Sequence, residues 1–218
     1  MIEPDGLELR MDAEEKHHGI LAGMLNTAWG SFVTATPDIM KIRLSSGAEF
    51  FFVYDNATND DADFIQQNYG GVVCVDERIP VAILETIGLK TDFVYDNVPK
   101  SYDLLTDNGL WKAPEMDADT IILVDITALP TRLAKHVKGL GGTPKDEARK
   151  LVGYAHSHIE KNTSYDAIWT FTPNIDAVKR WHESNGASDT KYLISSARPG
   201  FKVQSVNMMS YPVNHISE

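Results

Sequence analysis

The stretch His136-Val-Lys-Gly139-Leu-Gly141-Gly142-Thr143 is the most informative in the chain. Glycines let a turn adopt positive φ and let backbone amides come close to a ligand. Directly after it, Thr143-Pro144-Lys145-Asp146 reads as a helix start, with Thr at the N-cap, Pro at the first helical position and a carboxylate in the first turn. A helix N-terminus adds unpaired N–H groups and a positive dipole end, so the turn suits a diphosphate. Arg132, Lys135, Lys138, Lys145, Arg149 and Lys150 surround it, although the 218-residue chain carries a net charge of −11. The competing reading is a solvated, glycine-rich surface loop. A dinucleotide-binding turn fits less well, because the G-x-G-x-x-G order is absent and the glycines do not follow a strand closely.

Outward from the turn, Thr120–Ile126 is the clearest buried strand in the chain. Downstream, Ala148, Leu151, Val152, Ala155 and Ile159 form one helical stripe, and Tyr165–Phe171 reads as a strand. Thr172-Pro173 predicts a second helix start, with Ile175, Val178 and Trp181 on one side and a stop at Asn185-Gly186. Two strands, Lys191–Ser196 and Lys202–Met209, follow around Arg198-Pro199-Gly200. In the N-terminal half, Asp12 and Glu15 form a capping-box pattern for a helix ending at Gly30. Ile39–Leu44 and Ala48–Tyr54 read as a hairpin around Ser45-Ser46-Gly47. A short helix from Asn59 to Tyr69 precedes a strand pair, Val72–Asp76 and Ile79–Leu89. Lys90–Asp119 holds a short strand at Phe93–Tyr95 and a helical turn after Pro99. The order predicts one α/β domain over 1–218, with 1–47 as an N-terminal helix-strand extension and 90–119 as an insertion.

Composition narrows the classes. At 43% apolar and 9% aromatic, the chain can bury a sizeable core. Its apolar runs fall short of the roughly 20 residues of a membrane helix. The start MIEPDGLELR has no charged-then-apolar leader, so a cytoplasmic protein is expected. A single cysteine, Cys74, excludes a disulfide framework and a thiolate zinc cluster; it reads as core. The acidic balance argues against binding extended nucleic acid.

The order of these motifs resembles the GNAT superfamily of acyl-CoA-dependent N-acyltransferases. That family carries R/Q-x-x-G-x-G/A between a central strand and a helix, and this chain has His136-x-x-Gly139-x-Gly141. The family's later N-x-x-A-x-x-x-Y is similar to Asn174-Ile-Asp-Ala177-Val-Lys-Arg-Trp181, with Gly186 beyond it, and its middle strand pair to Val72–Leu89. The resemblance spans Phe50 to Phe201 and implies a mixed, mostly antiparallel sheet flanked by helices. It also implies acetyl-CoA as co-substrate and an amine acceptor, with no metal. The donor pyrophosphate would lie on the amides of Val137, Lys138, Gly139, Leu140, Gly141, Gly142 and Thr143, beside His136. Ile126 and Ala128 would flank the thioester carbonyl, and Asn174 the pantetheine arm. Two departures stand out: His136 replaces Arg or Gln, and Trp181 stands where many members place the tyrosine that protonates the departing thiolate. These departures support a second reading, a non-catalytic binding or inhibitor protein on the same scaffold with a macromolecular partner.

Three residues are candidates for proton chemistry. Val81, Ile83, Glu85, Ile87 and Leu89 share a strand face, and a carboxylate in that apolar row suits an amine-deprotonating base. A core-edge carboxylate paired with an arginine is the competing reading of Glu85. Asp125, at the end of the central strand, is the second candidate base or an anchor for the amine; otherwise it caps the next turn. His182, after Trp181, can donate a proton to the thiolate or lie on the surface. His156-x-His158 falls in a helix, where positions two apart diverge, so it does not read as a metal pair.

Overall fold

The computed structural model describes residues 7–10, 14–29, 35–55, 64, 79–89, 101–106, 110, 118–137, 140, 142–162, 165–195 and 205–213. Their strands are β1 (Leu7–Arg10), β2 (Glu49–Asp55), β3 (Ile79–Leu89), β4 (Thr120–Ala128), β5 (Ala167–Pro173), β6 (Ser188–Ser195) and β7 (Ser205–Tyr211). The helices are α1 (His18–Trp29), α2 (Pro37–Ser45), α3 (Tyr102–Leu105), α4 (Thr131–Ala134), α5 (Pro144–Asn162) and α6 (Asp176–Ser184). All seven strands form one sheet in the order β1-β2-β3-β4-β5-β7-β6. Every pairing is antiparallel except β4 with β5. A parallel pair needs a long crossover, and α4 and α5 supply it.

Both faces of the sheet are covered, which is why β3 is buried along almost its whole length. Alternation along β2 shows the two layers. Phe51 meets Tyr154 and His158 of α5, whereas Phe52 and Tyr54 stack on each other and lie against His17 at the foot of α1. His158 and His156 accordingly face different neighbours, His156 lying edge-on to Tyr211 of β7. Trp169 is core, as its strand position implies.

Two irregularities shape the centre. Along β3 and β4 the register passes from Glu85 opposite Asp125 to Thr86 opposite Leu123, leaving Val124 as the extra residue of a bulge. On the other side, β4 pairs with β5 only from Thr120–Leu123 to Ala167–Thr170. Beyond that point β4 continues on β3 and β5 continues on β7, so the two parallel strands part.

The expected strand at Ile39–Leu44 is a helix instead, α2. Thr36 caps it, its Oγ1 accepting from the Ile39 amide at 3.2 Å, and Pro37 and Asp38 open the first turn. Ser45-Ser46-Gly47 is its C-cap rather than a hairpin turn: Gly47 takes φ +84°, and the Ala48 amide donates to the Arg43 carbonyl at 3.1 Å. The two N-terminal helices therefore stand where a helix and a strand were expected, and the strand of the extension is β1. The helix expected from Thr172-Pro173 starts later, at Asp176, because Pro173 is the last residue of β5. The final two strands begin and end a few residues from their expected bounds, at Ser188–Ser195 and Ser205–Tyr211. The helical turn after Pro99 is α3. The expected elements at Asn59–Tyr69, Val72–Asp76 and Phe93–Tyr95, and Cys74, lie outside the described residues apart from Phe64. Among the described residues no helix is long and apolar enough to cross a membrane.

Candidate functional site

Where β4 and β5 part, a cavity of about 420 Å³ opens, within the size range of small-molecule sites. β4 contributes Val124, Asp125, Ile126 and Ala128 to its wall; β5 contributes Thr170 to Pro173. Lys145 and Ala148 bring in the first turn of α5, and Trp181 and His182 bring in the last turn of α6. The cleft thus arises from pairing geometry: once the ladder stops at Leu123 and Thr170, the facing edges of both strands are free to meet a ligand.

The carboxylates sit on the β4 side. Arg43 of α2 is 4% exposed and reaches between them, its Nη1 donating to Glu85 Oε2 at 2.7 Å and to Asp125 Oδ2 at 2.9 Å. Burial works against the guanidinium charge, but Glu85 and Asp125 more than offset that and hold Arg43 above its ordinary value. Glu85 is 0% exposed, and desolvation pushes its carboxyl up to about 8, with Arg43 pulling the other way and the like charge of Asp125 adding to the rise. Asp125 lines the cleft, whereas Glu85, opposite it in the β3–β4 register, and Arg43 do not. The arginine partner weighed for Glu85 is therefore present, and it is shared with the second carboxylate. Arg43 itself was not foreseen, because its segment read as a strand; its place three residues after buried Met40, on the core face of a capped helix, is the signal that could have found it.

His182 is buried rather than on the surface, at 6% exposed. Its Nδ1 lies 2.7 Å from Tyr211 Oη, and its ring is edge-on to Trp181. Burial lowers the imidazole to about 4 and raises the Tyr211 phenol, so both groups are neutral at neutral pH. Tyr211 also went unforeseen, since the last strand was read as ending at Met209.

At the donor end, Val137 is buried and Leu140 is partly buried against the core, while Gly142 and Thr143 are exposed. Lys138, Gly139 and Gly141 lie outside the described residues. The His136 ring lies 4.3 Å from that of Phe64. Asp146 folds back on the helix start: its Oδ2 accepts from the Thr143 amide and from the Thr143 hydroxyl, both at 2.8 Å. Those two bonds hold the Asp146 carboxyl below the usual range. Asn174 is exposed and does not line the cavity, although its neighbours Pro173 and Ala177 do. Ile126 and Ala128 both line it. Among the described residues no group of three His, Cys, Asp or Glu side chains could hold a metal ion.

No family model matches the chain, and no curated protein matches it. Solved structures do. The loading GNATL domain of CurA from Lyngbya majuscula matches with a TM-score of 0.62 at 13% identity, over 96% of this chain and 98% of that one. The ribosomal-protein-S18-alanine N-acetyltransferase from Escherichia coli gives a TM-score of 0.56 at 11% identity, over 97% of each chain. yncA, described as a putative acetyltransferase from Salmonella typhimurium with its cofactor acetyl-CoA, gives 0.53 at 12% identity, over 98% and 97%. The fold is that of the GNAT acetyltransferases, as the order of motifs around the glycine turn implied.

Proposed function

We propose that the protein transfers an acyl group, acetyl in the simplest case, from a coenzyme A thioester to a primary amine. The observation that carries this reading is the cleft between the parting strands β4 and β5, which gathers Asp125, His182, Lys145 and the N-terminus of α5 around one cavity. The GNAT fold and the acetyl-CoA named for one structural neighbour support it. Bound acyl-CoA supplies an acyl group activated on sulfur. The N-terminus of α5 and Lys145 attract its phosphates, with the Asp146 carboxylate moving off the Thr143 amide to admit them. Backbone N–H groups along Ile126–Ala128, beyond the end of the β4–β5 ladder, offer hydrogen bonds to the thioester carbonyl oxygen.

Asp125 is the carboxylate that reaches the cleft, so it orients the acceptor amine and takes up its proton as the C–N bond forms and the C–S bond breaks. Glu85 acts behind it, fixing Arg43 and through it the Asp125 carboxylate. Attack is direct, with no acyl group on the protein. A ligand that binds only the folded state raises the melting temperature, so the donor step is tested by thermal shift with acetyl-CoA at about 1 mM, the upper end of usual KM values. Acetyl transfer is then read as a mass increase on a panel of a polyamine, a peptide N-terminus and a lysine peptide. A melting temperature unmoved by donor would sink the reading. The Asp146 carboxylate on the helix start favours a second reading, a non-catalytic binding protein on this fold, which predicts that outcome together with a stable macromolecular partner.

A further inference from the structure

Resting on the acyl-transfer reading, we propose that Tyr211 fixes the imidazole proton of His182 on Nε2, making His182 a neutral hydrogen-bond donor to negative charge developing on the acyl donor. The argument starts from one contact. At 2.7 Å between His182 Nδ1 and Tyr211 Oη, one atom donates and the other accepts. If Nδ1 carried the proton, the phenol hydrogen would need a second acceptor, and Tyr211 Oη has no other hydrogen-bond partner among the described residues. Tyr211 is 2% exposed, so water does not readily serve it. A buried donor left without a partner is strongly disfavoured. The phenol therefore donates to Nδ1, and the ring proton sits on Nε2.

The surroundings keep the ring uncharged. The groups that face the pair are Trp181 on α6, His156 of α5 against the Tyr211 ring and, around the same cleft, Asp125 and Lys145. Burial alone accounts for the low imidazole value; no carboxylate pulls it up. A neutral imidazole N–H is too weak an acid to surrender its proton to a thiolate, but it is a good donor to an anion in a dry site. His182 thus stabilises the charge without giving up a proton. The sulfur leaves as a thiolate and is protonated by water, while the amine proton passes through Asp125 to solvent. Trp181, at the family's tyrosine position, then needs no acid–base role.

The test is a long-range ¹H–¹⁵N correlation spectrum of the imidazoles in the full chain at pH 7, with His182 assigned by its loss in His182→Gln. The expected result is the Nε2–H tautomer in the wild type and a mixture of tautomers in Tyr211→Phe. In steady-state kinetics Tyr211→Phe should lower kcat about tenfold with the donor KM little changed, and His182→Ala about 100-fold. His182→Gln, which retains an N–H at the distal position, should recover part of that loss. A wild-type Nδ1–H tautomer in an active chain overturns this inference alone, as does a folded His182→Gln no better than His182→Ala. A chain with the Nε2–H tautomer that transfers no acyl group overturns the acyl-transfer reading, and the catalytic role of His182 with it.

Discussion

The two walls of the cleft are polar in opposite ways. On the β4 side the Arg43 guanidinium lies in a buried corner with two carboxyl groups, bonded to both Glu85 and Asp125. On the α6 side a histidine and a tyrosine form one neutral hydrogen bond in an equally buried corner. Charges out of water are stable only when compensated, whereas neutral polar groups need only a partner in the right geometry. The first wall is therefore sensitive to the loss of any one member, and the second to the direction of a single proton.

Removing the positive member breaks the comparison hardest. Arg43→Met strands Glu85 and Asp125, and a buried pair broken in this way loses about 3–5 kcal/mol; urea melts should show a loss of that size. A loss below about 1 kcal/mol would mean that the corner behaves like a surface ion pair. Next comes Asp125→Asn, which keeps the shape and removes the charge proposed to meet the amine. It should lower kcat/KM about 100-fold in an acyl-transfer assay, and unchanged turnover would move the base elsewhere.

The two walls should also answer pH with opposite signs. Glu85 holds its proton more tightly when folded, with a value of about 8 against 4.5 for an ordinary glutamate. Its contribution is complete below pH 4.5 and is lost as pH rises through 8, by up to about 1.4 kcal/mol per unit. His182 has the reverse sign: its folded value of about 4 lies below the ordinary 6.5, so its contribution is present above 6.5 and lost as pH falls towards 4. Stability curves of Glu85→Gln and His182→Gln against the wild type separate the two limbs, and parallel curves would erase the contrast. The smallest effect belongs to the exposed helix start. Asp146→Asn removes the charge that holds the Thr143 amide, so on the proposed donor site acetyl-CoA should bind about two- to fivefold tighter; weaker binding in a titration would assign Asp146 to holding the turn open for the donor.

Much of this was legible locally. α5 follows from Thr143 and Pro144 with an apolar stripe behind them, and the buried run from Thr120 marks β4, because caps and apolar runs act over a few residues. The α2 segment reads as a strand even though Thr36-Pro37 repeats the Thr-Pro start at Thr143. The β-branched Ile39 and Ile42 weighed toward a strand, while the cap bonds at both ends and the burial of Met40 and Arg43 on one side settle the segment as helix. Asp125 could be singled out as a polar group on an otherwise apolar strand, and His182 because it follows Trp181 on the late helix. Their partners could not. Arg43 and Tyr211 matter through contacts between distant segments, and no local pattern records which strand a helix will lie against.

Arg43 is bonded to a carboxylate 82 positions further along the chain and to another 42 positions away. Contacts that close such long loops form slowly, after local helices and hairpins have condensed. The charged corner therefore requires β3 and β4 to have paired and α2 to have docked on them. During refolding, helix signal and compactness should return first, and the arrangement around Asp125 should mature only when α2 docks. A chain stalled before that step would carry most of its secondary structure and still lack a working cleft.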